Sequence, residues 1–131
     1  MKGRMLAIEF EKGGDLKAKL LDEEAPRTCE AVWRALPLKA KVIQARFAGE
    51  EMYFKTEIKA IPENETDPNV GDIAFNPDPQ WRAICLYYGD NIRLKNPFNL
   101  FARILDDKEK LKEIGERVWL MGTETVRVRP L

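Results

Sequence analysis

Runs of roughly six residues that alternate apolar and polar, each ended by a cluster of Gly, Pro, Asn or Asp, fill most of this chain, and a period of two belongs to β-strands. Leu6, Ile8 and Phe10 share one face of the first run, the turn Lys12-Gly13-Gly14-Asp15 follows, and Leu16, Ala18 and Leu20 resume the alternation, which predicts a β-hairpin. A second hairpin is predicted from Lys41 to Phe47 and from Met52 to Ile61, joined by Ala48-Gly49-Glu50 and rich in β-branched and aromatic residues. Pro62 to Gly71 reads as a polar loop with a turn at Asp67-Pro68-Asn69. Asp72 to Phe75 reads as a strand. After the loop Asn76-Pro77-Asp78-Pro79-Gln80, the unbroken apolar run Ala83 to Tyr88 reads as a buried central strand. A loop from Gly89 to Pro97 leads to a strand from Phe98 to Leu105, and the tail closes with Val118 to Met121, a turn signal at Gly122-Thr123, and Val126 to Val128.

Two segments break this period. Cys29, Val32, Trp33 and Leu36 recur at helical spacing after Pro26, a residue favoured in a first helical turn, and Pro37 stops the pattern. Glu23 and Glu24 suit the positive end of this helix, and its single apolar stripe, with Arg27, Glu30 and Arg34 outside it, must lie across a hydrophobic surface. Asp106 to Gly115 predicts a second short helix, capped by Asp and ended by Gly. Some eight strands with one or two short helices indicate an all-β closed barrel or sandwich rather than a parallel α/β sheet. With 131 residues and no repeat or linker, the chain is expected to form a single domain over 1–131. At that size folding buries roughly two-thirds of the surface that the unfolded chain exposes.

Residue usage removes several function classes. The 22 Lys and Arg balance 22 Asp and Glu, so neither a nucleic-acid partner nor an anionic membrane is expected. The chain contains no histidine, which removes the Ser-His-Asp and Cys-His nucleophile pairs and the commonest general base. Cys29 and Cys85 sit far apart inside apolar patterns and are expected as buried free thiols. The apolar stretch Met5 to Ile8 stops at Glu9, too short for a signal peptide or a membrane span, so a cytoplasmic location is expected. Of the acidic groups, Asp22-Glu23-Glu24 and Asp106-Asp107 are explained by helix N-terminal preference, and Glu63 to Asp72 lacks the Gly spacing and closing Glu of a metal loop, so no metal or other cofactor is expected. Lys108, Lys110, Lys112, Arg117, Arg127 and Arg129 alternate with acids and read as solvated faces.

Several phrases resemble cyclophilins. Pro26, Thr28, Trp33 and Leu36 fall on the family's "P-x-T-x-x-N-F-x-x-L" pattern, which starts the helix that plugs one end of its barrel. Gly71 to Phe75, Arg82 to Tyr88 and Phe98 to Ile104, the last followed by Leu111 and Ile114, stand in the order of that family's strands and last helix. The phrases "G-E-E-M-Y-F", "G-D-I-A-F-x-P" and "A-I-C-L-Y-Y-G" are more similar still to a group of small prokaryotic cyclophilin-like proteins of unknown function. The resemblance covers most of the chain and implies a closed cyclophilin-like barrel whose groove binds a small molecule or an extended peptide.

Cyclophilin isomerases place an Arg against the prolyl nitrogen, which is how a barrier of about 18–20 kcal/mol is lowered without covalent chemistry. Here the corresponding position falls on Phe54 or Lys55, the "Q-G-G-D" phrase is missing, and the pocket His has no counterpart. Ordinary isomerase activity is therefore not expected; a peptidyl-prolyl isomerase using Arg46 as a displaced cation stands as the alternative. The implied groove comprises Arg46, Tyr53, Phe54, Phe75, Trp81, Tyr87 and Phe101, with Tyr88, Arg82 and Arg103 nearby, against the competing reading of each aromatic as barrel core. Trp81, after a Pro-rich loop, and Arg46, just before a hairpin turn, are the strongest of these. A purely structural subunit is the third reading and requires an exposed edge strand or apolar patch.

Overall fold

The computed structural model, which describes residues 3–93 and 97–131, closes the alternating strands into a cylinder. Strands β1 (Met5–Phe10), β2 (Asp15–Leu20), β3 (Leu38–Gln44), β4 (Gly49–Lys55), β5 (Asp72–Asn76), β6 (Ala83–Ile92), β7 (Asn99–Ile104) and β8 (Glu124–Pro130) are joined by two helices, α1 (Pro26–Ala35) and α2 (Lys108–Met121). The barrel order is β1-β2-β7-β5-β6-β4-β3-β8, with β8 returning to β1 and every neighbour antiparallel. The expected all-β closed barrel is the fold found. No helix among the described residues is long and apolar enough to cross a membrane.

The first hairpin follows its alternation: Leu6, Ile8, Leu16, Ala18 and Leu20 point inward, while Lys17 and Lys19 face water. Phe54, Phe75 and Phe101 fill the middle of the barrel, and each such burial contributes roughly 1.5–3 kcal/mol. Helix α1 adds Cys29 and Val32 to this core, and α2 adds Leu111, Ile114 and Val118. Both thiols are free and buried, as expected, and the Cys29 Sγ–H donates to the Phe101 carbonyl at 3.3 Å.

Three local readings are corrected. Glu23 and Glu24 stand just ahead of α1 and not within it: its first turn holds no acid, and the N-cap Ala25 makes no side-chain cap bond. Glu63, from the loop after β4, does so instead, accepting from the backbone N–H of Arg27 at 3.2 Å and of Thr28 at 2.8 Å, and from the Thr28 hydroxyl at 2.8 Å. Burial alone would raise the Glu63 carboxyl, but the donations from Thr28 hold it below its ordinary value. Asn99 ties the loop down, accepting from the Glu63 N–H and donating to Thr28 Oγ1 and the Ile61 carbonyl.

The second hairpin begins at Leu38 and its return strand stops at Lys55, after which Thr56 donates from both N–H and hydroxyl to the Arg82 carbonyl. Helix α2 starts with Asp107 as its expected cap but does not end at Gly115, and Val118 to Met121 is its last turn rather than a strand. Gly115 is a packing position: a Cβ there would stand 2.2 Å from the Tyr88 ring. The true stop is Gly122, at φ +90°. Strand β6 runs on to Ile92, and residues 94–96 of the loop read from Gly89 to Pro97 lie outside the described residues.

Gly115→Ala gains roughly 1 kcal/mol of helix propensity yet meets the buried Tyr88 ring, and overpacking costs about 1–3 kcal/mol. A lower melting temperature is expected in thermal unfolding. An unchanged or raised one would show that α2 slides freely over β6.

Candidate functional site

A strand with one face in a core normally turns the other to water, and β6 does not. Ile84, Leu86 and Tyr88 point into the barrel, while the outward side chains Ala83, Cys85 and Tyr87 are buried as well, Cys85 to 3% and Tyr87 to 1% exposure. They form a second apolar cluster with Ala74 of β5, and Tyr53, Ile92 and Phe98 pack on it. The register sets Glu51 beside Tyr87 and Tyr53 beside Cys85 on the β4 side, and Ala74 beside Cys85 and Asn76 beside Ala83 on the β5 side. A cavity of about 140 Å³ opens over this floor. Glu51, Tyr53 and Asn76 stand in its wall, and Phe47, Trp81 and Phe98 form its aromatic rim.

Two backbone devices aim these groups. The ladder between β4 and β6 shifts register between Gly49 and Glu51, where Gly49 adopts φ +122° and a Cβ would lie 2.1 Å from the Asn91 carbonyl oxygen. Only glycine permits that bulge, which sets the alternation that follows, with Glu51 and Tyr53 facing outward. On the opposite rim the Asp78 carbonyl accepts from the N–H of both Trp81 and Arg82, and Arg82 sits at φ 42°. This tight turn presents Trp81 edge-on to Tyr53, with ring centroids 5.7 Å apart and Lys55 Nζ 5.2 Å from the Trp81 ring.

Glu51 is the chemical oddity of the wall. It is 7% exposed, and no Lys or Arg pairs with it among the described residues. Burial pushes its carboxyl up to about 7, against a smaller downward pull from its hydrogen bond with the Cys85 thiol. Burial, then the neighbouring Glu51 carboxylate, raises the Cys85 thiol well above its ordinary value, and burial raises Tyr87 likewise. At neutral pH both stay protonated while Glu51 is poised near half ionisation. The arrangement can accept a proton or pair with a cation, and it holds no activated nucleophile. Among the described residues no group of three His, Cys, Asp or Glu is placed to hold a metal ion.

The residues read from the sequence separate into three places. Tyr53 and Trp81 line the cavity, and Tyr87 lies in the cluster beneath it. Phe54, Phe75 and Phe101 are in the barrel core, on the opposite face of the sheet. Arg46 is drawn toward α2: its guanidinium lies 3.8 Å over the Trp119 ring, with Nη1 3.5 Å from the Tyr88 hydroxyl. Sequence reasoning missed Phe47, Glu51, Asn76, Cys85 and Phe98. Its available signal was the unbroken run Ala83 to Tyr88, since a barrel strand apolar on both faces needs something to cover its outer side.

Residues 7–129 match a family model described as "Protein of unknown function (DUF3830)". Among solved structures, the hypothetical protein AF2241 from Archaeoglobus fulgidus is similar over 98% of this chain and 95% of its own, at 29% identity and a TM-score of 0.73. McbB, whose structure was solved in complex with tryptophan, is similar over 95% of this chain at 22% identity and a TM-score of 0.74; the chain spans 44% of McbB's length. No curated protein matches the chain.

The raised Glu51 carboxyl carries a stability signature. Its folded pKa of about 7 lies above the ordinary 4.5, so the folded state holds the proton more tightly. The penalty for ionising it is absent below about pH 4.5, grows as pH rises, and is complete above 7, on the order of 3 kcal/mol. Glu51→Gln is expected to gain stability relative to the wild type between pH 4 and pH 8 in denaturant unfolding. Parallel curves for the two proteins would show that Glu51 titrates as an ordinary carboxyl.

Proposed function

The chain belongs to the DUF3830 family, and we propose that its outer-face cavity binds a compact aromatic amine, with Glu51 as counter-ion. The observation that carries this reading is a carboxyl more than nine-tenths buried in an aromatic wall, with no protein cation beside it among the described residues. Ionising such a group unpaired costs several kcal/mol, and a bound ammonium offsets that cost. Tyr53 and Trp81 supply aromatic surface for the ligand's ring, and Lys55 already lies over Trp81, which leaves Glu51 as the partner for the ammonium. At about 140 Å³ the cavity is smaller than the roughly 300–1,000 Å³ typical of drug-sized ligands, which suits a single-ring molecule better than an extended peptide.

Two comparisons support the reading. Tryptophan, the molecule in the McbB structure, combines an aromatic ring with an ammonium group. The phrases that resemble small cyclophilin-like proteins fall on β4, β5 and β6, the three strands whose outer faces make the cavity, so we assign the barrel to that cyclophilin-like type and treat 1–131 as one binding domain. Isomerase chemistry is not part of the proposal. Phe54 lies in the core, Lys55 sits over Trp81, and Arg46 is stacked on Trp119, so no guanidinium among these residues faces the cavity.

Titration with phenethylamine, followed by Trp fluorescence with Trp81→Phe as control, tests the assignment. Phenethylamine stays cationic from pH 6 to pH 8 while Glu51 passes from mostly protonated to mostly ionised, so affinity is expected to rise by about tenfold over that interval. Glu51→Gln is expected to remove the pH dependence. Tighter binding of phenylacetate than of phenethylamine would overturn the choice of ligand class.

A further inference from the structure

The barrel wall is thin at one seam, whose paired end borders the aromatic cavity and whose unpaired end runs toward α1. Strands β3 and β4 pair only at Ile43 with Tyr53 and Gln44 with Met52, extended by the Ala45 N–H donating to the Glu51 carbonyl at 2.8 Å. The same register continued would set Lys41 beside Lys55 and Lys39 beside Glu57. It does not continue: the ladder to β3 ends at Ile43 and Tyr53, while the Thr56 N–H still extends the β4–β6 ladder to the Arg82 carbonyl. The first half of β3, Leu38–Val42, therefore pairs with β8 alone.

Ladder alternation fixes which backbone groups this leaves bare. Ala45 directs its N–H to β4, so Ile43, Lys41 and Lys39 direct theirs to the same side. The opposite strand agrees: the Thr125 carbonyl accepts from the Glu11 N–H on the β1 side, so Val126 and Val128 face Ala40 and Leu38. The N–H and C=O of Lys39 thus open into a groove of about 720 Å³ between β3, α1 and residues 55–59, with Lys41 next along the same edge. Its inner surface is apolar, with Ala35, Leu38, Ala40 and Ile58. Its charged side chains are Lys39 and Lys59 with the carboxylate of Glu57, while Arg34 is held to Glu30 at 2.9 Å and Lys55 lies over Trp81.

We propose that this groove takes up an extended acidic segment of a partner protein as an added strand on β3. The bare edge supplies the ladder, the apolar floor receives alternate side chains, and Lys39 and Lys59 select carboxylates on the others. A second copy of this chain is a poor occupant, because pairing β3 with β3 would set Lys39 and Lys41 against their own kind; edge lysines block self-association in this way and leave an acidic strand free to enter.

The probe is a fluorescein-labelled heptapeptide of alternating Glu and Val, compared with its Lys–Val counterpart and with an Glu–Val version N-methylated at every second amide. The Glu–Val peptide is expected to bind and to slow amide hydrogen exchange at Lys39 and Lys41. The exposed pair Lys39→Glu and Lys59→Glu is expected to weaken it at least tenfold without altering the melting temperature, and the other two peptides are expected not to bind. Equal binding of the N-methylated peptide would overturn strand addition in favour of surface charge attraction. No binding of the Glu–Val peptide, or no loss in the double variant, would overturn the site. Glu51→Gln is expected to leave peptide binding unchanged, so this result stands apart from that of the aromatic cavity.

Discussion

A sheet that closes on itself must satisfy both edges of every strand, and the rest of this molecule is arranged around meeting that demand with strands of five to ten residues. Closure commits one face of each strand to a common interior, which is why Leu6, Leu16, Met52, Phe75 and Phe101 converge from distant parts of the chain. It also leaves two open ends and an outer wall. The helices contribute Val32 and Val118 to the same core, and the outer face of β6 carries a second apolar cluster of its own. Departures from the cylinder are few, and each coincides with a surface capable of recognition: the covered outer face of β6 and the short ladder between β3 and β4.

The β1–β2 hairpin was legible because its residues obey a single rule: period two with glycines at the turn. Helix α1 was legible as an element but not in its cap, since Glu63 arrives from a loop 35 positions beyond Thr28 and only the folded barrel brings them together. Gly115 misled for the opposite reason. Local preference makes it a stop, whereas its place against Tyr88 makes it a close contact inside a longer helix. The site was half legible. Tyr53 and Trp81 declared themselves as aromatics, but Phe54 shares a strand with Tyr53 and points the other way, and composition does not distinguish the two faces. Glu51 looked like an ordinary strand charge because its burial depends on the bulge at Gly49 and on a cover formed by residues from three other segments.

Stability and recognition pull against each other at the cavity. A barrel selected for stability alone would set an apolar or water-facing residue where Glu51 stands, and would have no reason to hold Arg82 in a left-handed conformation to present Trp81. These local costs are tolerable because the first hairpin, the aromatic interior and the bidentate pair of Arg117 with the fully buried Glu124 hold the remainder of the fold.

Strand β6 carries the barrel interior on one face and the cavity floor on the other, so every residue from Ala83 to Tyr88 is already spoken for. Inserting or deleting one residue there would turn Leu86 and Tyr88 out toward the cavity and Cys85 and Tyr87 into the core. Most surface strands absorb such indels by sliding, because one of their faces is indifferent to what it shows. This one has no indifferent face. Among descendants that keep the cavity, the length of this segment is therefore frozen even where its individual side chains are free to drift.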